Sequence, residues 1–244
     1  MKNTYILAAL VAAVPGLAFA GFEIESATTE ENAVEFEIEN TVFVGDVNSG
    51  DTVSEHEVGL SWGVLNPWTT SISFEFETEK GDSISLDGLE WSNTFGLVGG
   101  EASVSDELAV ALYTSLSFEF DSAEDVSLTI GPAIEYQAGS VELGVNTFVQ
   151  IPLDGGDDAG FVYAIGASTE VSEGIEVGLE AHGEIDEAFS NAADFDQQEH
   201  FMGPVVEIEA ADGEQEAEIR LGIFAGLTDA APSVAVSANV GFGF

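Results

Sequence analysis

Along most of this chain apolar and polar residues take turns. Val34, Phe36 and Ile38 alternate with Glu35, Glu37 and Glu39, and Ile72, Phe74 and Phe76 alternate with Ser73, Glu75 and Glu77. Consecutive side chains of a strand point to opposite faces, so each stretch reads as a strand with one oily face and one charged face. The same period of two recurs at 58–64, 108–120, 126–134, 141–149, 161–165, 175–179, 206–208, 219–223 and 234–244. One stretch slips: Ile84 and Leu86 keep one phase while Leu89, Trp91, Phe95 and Leu97 keep the other, and a bulge near Asp87-Gly88 restores the register. The count is twelve strands, within a range of ten to fourteen.

No long helical pattern separates these strands, so the sheet is expected to be antiparallel. Its connections are of two kinds. Segments 45–52, 80–82, 121–125, 154–158, 185–199 and 228–232 fall at one end, and the turns Asn66-Pro67, 138–140, 172–174 and 211–214 at the other. With both termini periplasmic, the longest connection lies outside and the tight turns inside, as in outer-membrane barrels. Segment 99–106 is the exception, being longer than its neighbours. Trp62 and Trp68 flank the Asn66-Pro67 turn, where an interfacial aromatic girdle would sit.

Composition sharpens the picture. The formal net charge is −43, yet the mean hydropathy is +0.19. A disordered acidic chain would be poor in aromatic and β-branched residues, whereas this one has 17 Phe and abundant Val and Ile. Charge and oil must be separated in space. In lipid every backbone N–H and C=O has to be paired internally, which forces the sheet to close. A carboxylate on the lipid face near the midplane is costly, so the strand glutamates belong to the lumen or the rims. By parity the lumen receives Glu35, Glu37, Glu75, Glu77, Glu119, Glu135, Glu142, Glu176, Glu180, Glu207, Glu209 and Glu218. Arg220 shares that parity and is expected to pair with Glu218 or a carboxylate across the barrel, narrowing the pore, unless it sits exposed at the rim. A soluble β-sandwich also alternates, but its strands run shorter and its outer faces rarely carry so few lysines.

The first twenty residues stand apart. Lys2 makes a positive start, an apolar run covers positions 5–14, Pro15-Gly16 breaks it, and Ala18-Phe19-Ala20 is a small-x-small cleavage site. The run is too short to span a bilayer as a helix. We read residues 1–20 as a secretory signal peptide and residues 21–244 as one barrel domain, which holds all 46 acidic residues and only Lys80 and Arg220 as basic ones.

At its C-terminus the chain resembles bacterial outer-membrane β-barrel proteins, which end in an aromatic residue preceded by apolar residues at every second position. Val236, Ala238, Val240, Phe242 and the final Phe244 fit that pattern. The resemblance implies insertion by the barrel-assembly machinery. The stretch from Glu55 to Leu97, through HEVGLSWGVLNPWTTSISFEFETEKG and LEWSNTFGL, is also similar to uncharacterised outer-membrane proteins of alphaproteobacteria. That likeness implies no activity.

Functionally the pattern points to a porin-like channel, since rings of carboxylates favour cations and twelve strands lie between the filled barrel of eight and the open porin of sixteen. Its partners would be outer-membrane lipid, lipopolysaccharide and small cations or polar solutes. Rival readings are a closed structural or adhesion barrel and a rim enzyme of lipase or deacylase type. The three histidines are His56, His182 and His200; His182 has lumen parity, and the other two fall near strand ends. No G-x-S-x-G elbow or H-E-x-x-H pair is present, which argues against an enzyme. Without cysteine there is no thiolate metal site, and no cofactor or metal is expected. Asp154-Gly-Gly-Asp-Asp158 reads as an acidic hairpin tip rather than a calcium loop. Segment 185–199, with Phe189 and Phe195, could enter the mouth or cap it. Two basic residues cannot neutralise a phosphate backbone, so nucleic acid is excluded as a partner. The acidity has a second explanation, a saline habitat that favours acidic exported surfaces.

Overall fold

The computed structural model describes residues 22, 24–28, 31–45, 52–79, 83–99, 107–120, 126–153, 159–185, 188–189, 195, 198–212 and 215–244. Twelve strands follow one another: β1 (Val34–Val44), β2 (Thr52–Leu65), β3 (Trp68–Glu79), β4 (Ser85–Val98), β5 (Leu108–Glu119), β6 (Val126–Ala138), β7 (Val141–Pro152), β8 (Gly160–Ser172), β9 (Ile175–Ile185), β10 (Glu199–Asp212), β11 (Gln215–Gly226) and β12 (Val234–Gly243). Every strand pairs with its sequence neighbours, and β1 pairs antiparallel with β12, which closes the barrel. Closure leaves no edge of unpaired backbone. At the seam Val34 and Phe244 exchange both backbone hydrogen bonds, at 3.3 and 2.8 Å.

The strands run 10 to 14 residues, enough to cross a bilayer when tilted. Their outer faces are apolar and remain exposed: Leu60, Phe74, Trp91, Leu179 and Ile223 are among the large side chains left uncovered. A soluble monomer does not carry a band of this kind, whereas lipid would cover it.

The slip in β4 is resolved as expected. Glu75 pairs with Gly88 and Phe76 with Leu86, so Asp87 is the extra residue of a bulge and both segments keep their apolar residues outward. Three further register shifts, at Gly63/Leu65, Gly96/Val98 and Glu170/Ser172, lie at the end of the barrel that holds both strand termini. The tight turns at that end use the left-handed conformation at Gly139 and Gly174, with φ of +71° and +68°, which other residues adopt only with strain. Trp68 stacks on Phe95 and donates from its indole to Asn93, and Trp91 donates to Thr70, so indoles cluster on the outer face beside the Asn66-Pro67 turn. The leader (1–20), Lys80, and the acidic tip 154–158 lie outside the described residues, as does most of segment 185–199. Phe195 is described, and it stacks on His200 with ring centroids 4.6 Å apart on the outer side of the rim.

Candidate functional site: the barrel lumen

The inner wall is built by the polar half of each alternation. Glu35 and Glu37 of β1 oppose Ser61 and Gly59 of β2, while Glu75 and Glu77 of β3 oppose Glu57 and Glu55. Glu119 opposes Gly88, Glu142 opposes Gln137 and Ser168, and Glu176 opposes Glu207. Glu180 stands between Gly166 and Gly203, Glu207 faces Arg220, and Glu209 faces Glu218. The structure thus places all these glutamates and Arg220 on one continuous inner surface. The carboxylate oxygens of Glu207, Glu209 and Glu218 lie within 4.8 Å of one another. In a tube with low-dielectric walls such crowding concentrates cations. Val240 and Phe242 of β12 point outward, paired with Ile38 and Phe36 of β1.

Arg220 is not at the rim. It is 5% exposed and bonds to Glu180, reaching across the intervening strand β10. Glu180 also bonds to His182 at 2.9 Å. Gly203 of β10 sits between Glu180 and the β11 backbone, where a Cβ would meet the Ile223 carbonyl oxygen at 1.9 Å. His56 also departs from expectation: it lies within β2, on the outer face beside Phe76 and 3.4 Å from Thr78 Oγ1. His200, second in β10, bonds to Tyr163 and Gln198.

The two sides of the lumen differ. Beside β1–β4 lies a cavity of about 850 Å³ lined by Glu35, Glu37, Glu39, Glu57, Glu90 and a carpet of serine and threonine. Toward the end of the barrel away from the strand termini, β9–β12 and Phe43 of β1 fill the interior with side chains. Phe201, Val205, Phe224, Ala231 and Ala235 are buried there in one cluster. A small cavity of about 130 Å³ remains beside them, lined by Glu135, Glu142, Glu176 and Arg220 among others.

What occupies this filled side was not legible in the alternation. The segment before β1 runs inside the barrel. Phe22 is 4% exposed and stacks on Phe224 at 4.5 Å, with Phe201 and His182 edge-on at 5.1 and 5.0 Å. Ile24 lies against Gly144 and Gly166, paired neighbours on β7 and β8 whose missing side chains form a notch. Ala27 is buried among Ala109, Ala111 and Ala133. Asn32 and Ala33 then reach the strand-terminus end, each bonding to Gly63. Two signals pointed here: mid-strand glycines of lumen parity facing each other, and an apolar pair, Phe22 and Ile24, outside any strand.

A closed twelve-stranded antiparallel barrel with an apolar outer belt and a polar interior is the fold of outer-membrane porins. Among solved structures, the chain is similar to an outer membrane channel from Pseudomonas putida F1, at 11% identity and a TM-score of 0.62 over 92% of this chain and 98% of that one. It is also similar to the NanC porin (10% identity, TM-score 0.57, 86% of this chain and 98% of that) and to the KdgM porin solved with oligogalacturonate (8%, 0.55, 87% and 98%). No protein-family model matches the chain, and no curated protein matches it in sequence.

Proposed function

We propose that the protein is an outer-membrane, porin-like channel whose narrow acidic lumen favours passive passage of cations or small polar solutes. The observation that carries this reading is the cavity of about 850 Å³ walled by glutamates, while the one described lumenal cation, Arg220, is tied to Glu180 on the far side. Fixed carboxylates facing water in a confined space raise the local cation concentration and repel anions. The KdgM porin holds an anionic sugar chain; a glutamate-lined wall would repel such a solute, so the shared fold does not extend to shared cargo. Export through a cleaved leader, insertion by the barrel-assembly machinery, and the likeness of Glu55–Leu97 to alphaproteobacterial outer-membrane proteins belong to the same reading. An enzyme reading gains no support from the histidines, since His182 is bonded to Glu180 and His200 to Tyr163 and Gln198.

The test is conductance of the refolded barrel in a planar bilayer under a KCl gradient. Discrete openings with a cation-selective reversal potential are expected. Silence from heat-modifiable, folded barrels would sink the channel reading. The filled side of the lumen favours a second reading, a closed structural barrel, and that is the reading silence would leave.

A further inference from the structure

The segment inside the barrel is held in an unusual way. The described backbone of Phe22 and Ile24–Thr28 joins no β-ladder; the wall grips it with side chains instead. Arg220 donates to the Phe22 carbonyl, Asn146 Nδ2 donates to the Glu25 carbonyl at 3.1 Å, and Glu135 accepts from the Ala27 amide at 2.8 Å and the Ser26 hydroxyl at 2.9 Å. Three apolar side chains, Phe22, Ile24 and Ala27, each fill a matched recess: an aromatic cluster, a glycine notch and an alanine cluster. This is how a protein binds an extended peptide, by backbone hydrogen bonds and side-chain pockets. The ligand here is the chain's own N-terminal segment. Because no ladder is broken when it leaves, the barrel can persist without it.

Its position gives it a consequence for passage. Ile24 lines the small cavity, while Glu25, Ser26 and Thr28 border the large one, so the segment is the partition between the two.

We propose that Phe22 and Ile24–Thr28 form a lumenal strap that throttles the channel. The throttle rests on the channel reading; the seating does not. The test exploits a chain without cysteine. Ile24 Cβ lies 3.8 Å from where a Cβ on Gly144 would stand, close to the roughly 3.8 Å mean Cβ separation of a disulfide. The double variant Ile24→Cys/Gly144→Cys is expected to cross-link on mild oxidation in folded, heat-modifiable barrels. The locked form should conduct least, reduction should raise conductance, and deletion of residues 22–28 should raise it several-fold and abolish the response to reductant.

Failure to cross-link in folded barrels overturns the seating. Cross-linking with equal conductance in the locked, reduced and deleted forms overturns the throttle while leaving a channel. Cross-linking with silence in all three forms, the deletion included, overturns the channel reading and the throttle with it, and leaves the strap as a structural plug.

Discussion

The β1–β4 wall and the β9–β12 wall follow the same rule of alternation and do opposite things with the interior. On the first, inward positions carry Glu, Ser and Thr, and the space beside them stays open. On the second, inward positions away from the strand termini carry Phe201, Val205, Phe224 and the Arg220–Glu180–His182 cluster, and the space there is filled, with Phe22 as the central piece, while Glu216 and Glu218 near the termini border the open cavity. Alternation decides which residues face inward. Their size and the partners available decide whether facing inward means lining a space or packing a core. Charged groups behave accordingly: on the open wall water can solvate the glutamates, whereas on the filled wall Glu180 requires Arg220 and His182.

The largest expected effect attacks the filled wall through its charge. Arg220→Ala leaves Glu180 buried without its guanidinium, and losing one partner of a buried pair costs roughly 3–5 kcal/mol. Denaturant unfolding of refolded barrels should show that loss, and Arg220→Met/Glu180→Met should recover most of it. Recovery of nothing would mean that Arg220 acts mainly through the Phe22 carbonyl.

Truncating the aromatic centre comes next. Phe224 is fully buried, and Phe224→Ala is expected to cost about 3 kcal/mol, the lower end for a buried aromatic. Protease should then cleave near Phe22 while the barrel stays intact. An unchanged unfolding midpoint would show that the cluster is loosely packed and the two walls less different than described.

A matched pair of glycines sharpens the comparison further. A Cβ at Gly166 would meet Ile24 Cδ1 at 2.5 Å, whereas one at Gly59 on the open wall meets nothing closer than 3.8 Å. Gly166→Ala should therefore destabilise by about 1–3 kcal/mol through overpacking, and Gly59→Ala should stay within about 0.5 kcal/mol. Equal responses in thermal unfolding would erase the distinction between the packed lumen beside Ile24, which Gly166 of β8 faces, and the open wall.

The smallest effect on stability and the clearest on passage belongs to Glu37→Gln/Glu57→Gln. Both residues face the large cavity. Unfolding should move by no more than about 1 kcal/mol, as for solvated charges, while the reversal potential under a KCl gradient should shift toward zero. A large stability change with no shift in selectivity would make these glutamates structural.

The sequence by itself determined the strands, a count of about twelve, the bulge at Asp87 and the parity of strand glutamates such as Glu37, Glu176 and Glu207. Those features follow from a period-two pattern that is local, and lipid on one face admits only one assignment of oil and charge. The expectation for Arg220 shows where locality ends. Its parity was right, but Glu180, to which it bonds, sits two strands away on β9, a reach that alternation along one strand does not encode. The segment holding Phe22 and Ile24 shows the same limit more strongly. Its apolar pair hints at burial, but its own residues do not say where. Hairpin pairing places Gly144 beside Gly166 and Phe201 on the strand next to Phe224, and only closure of the sheet wraps those faces around one space and so creates the recesses that hold it. Alternation is written residue by residue, whereas a cavity exists only after the last strand has met the first.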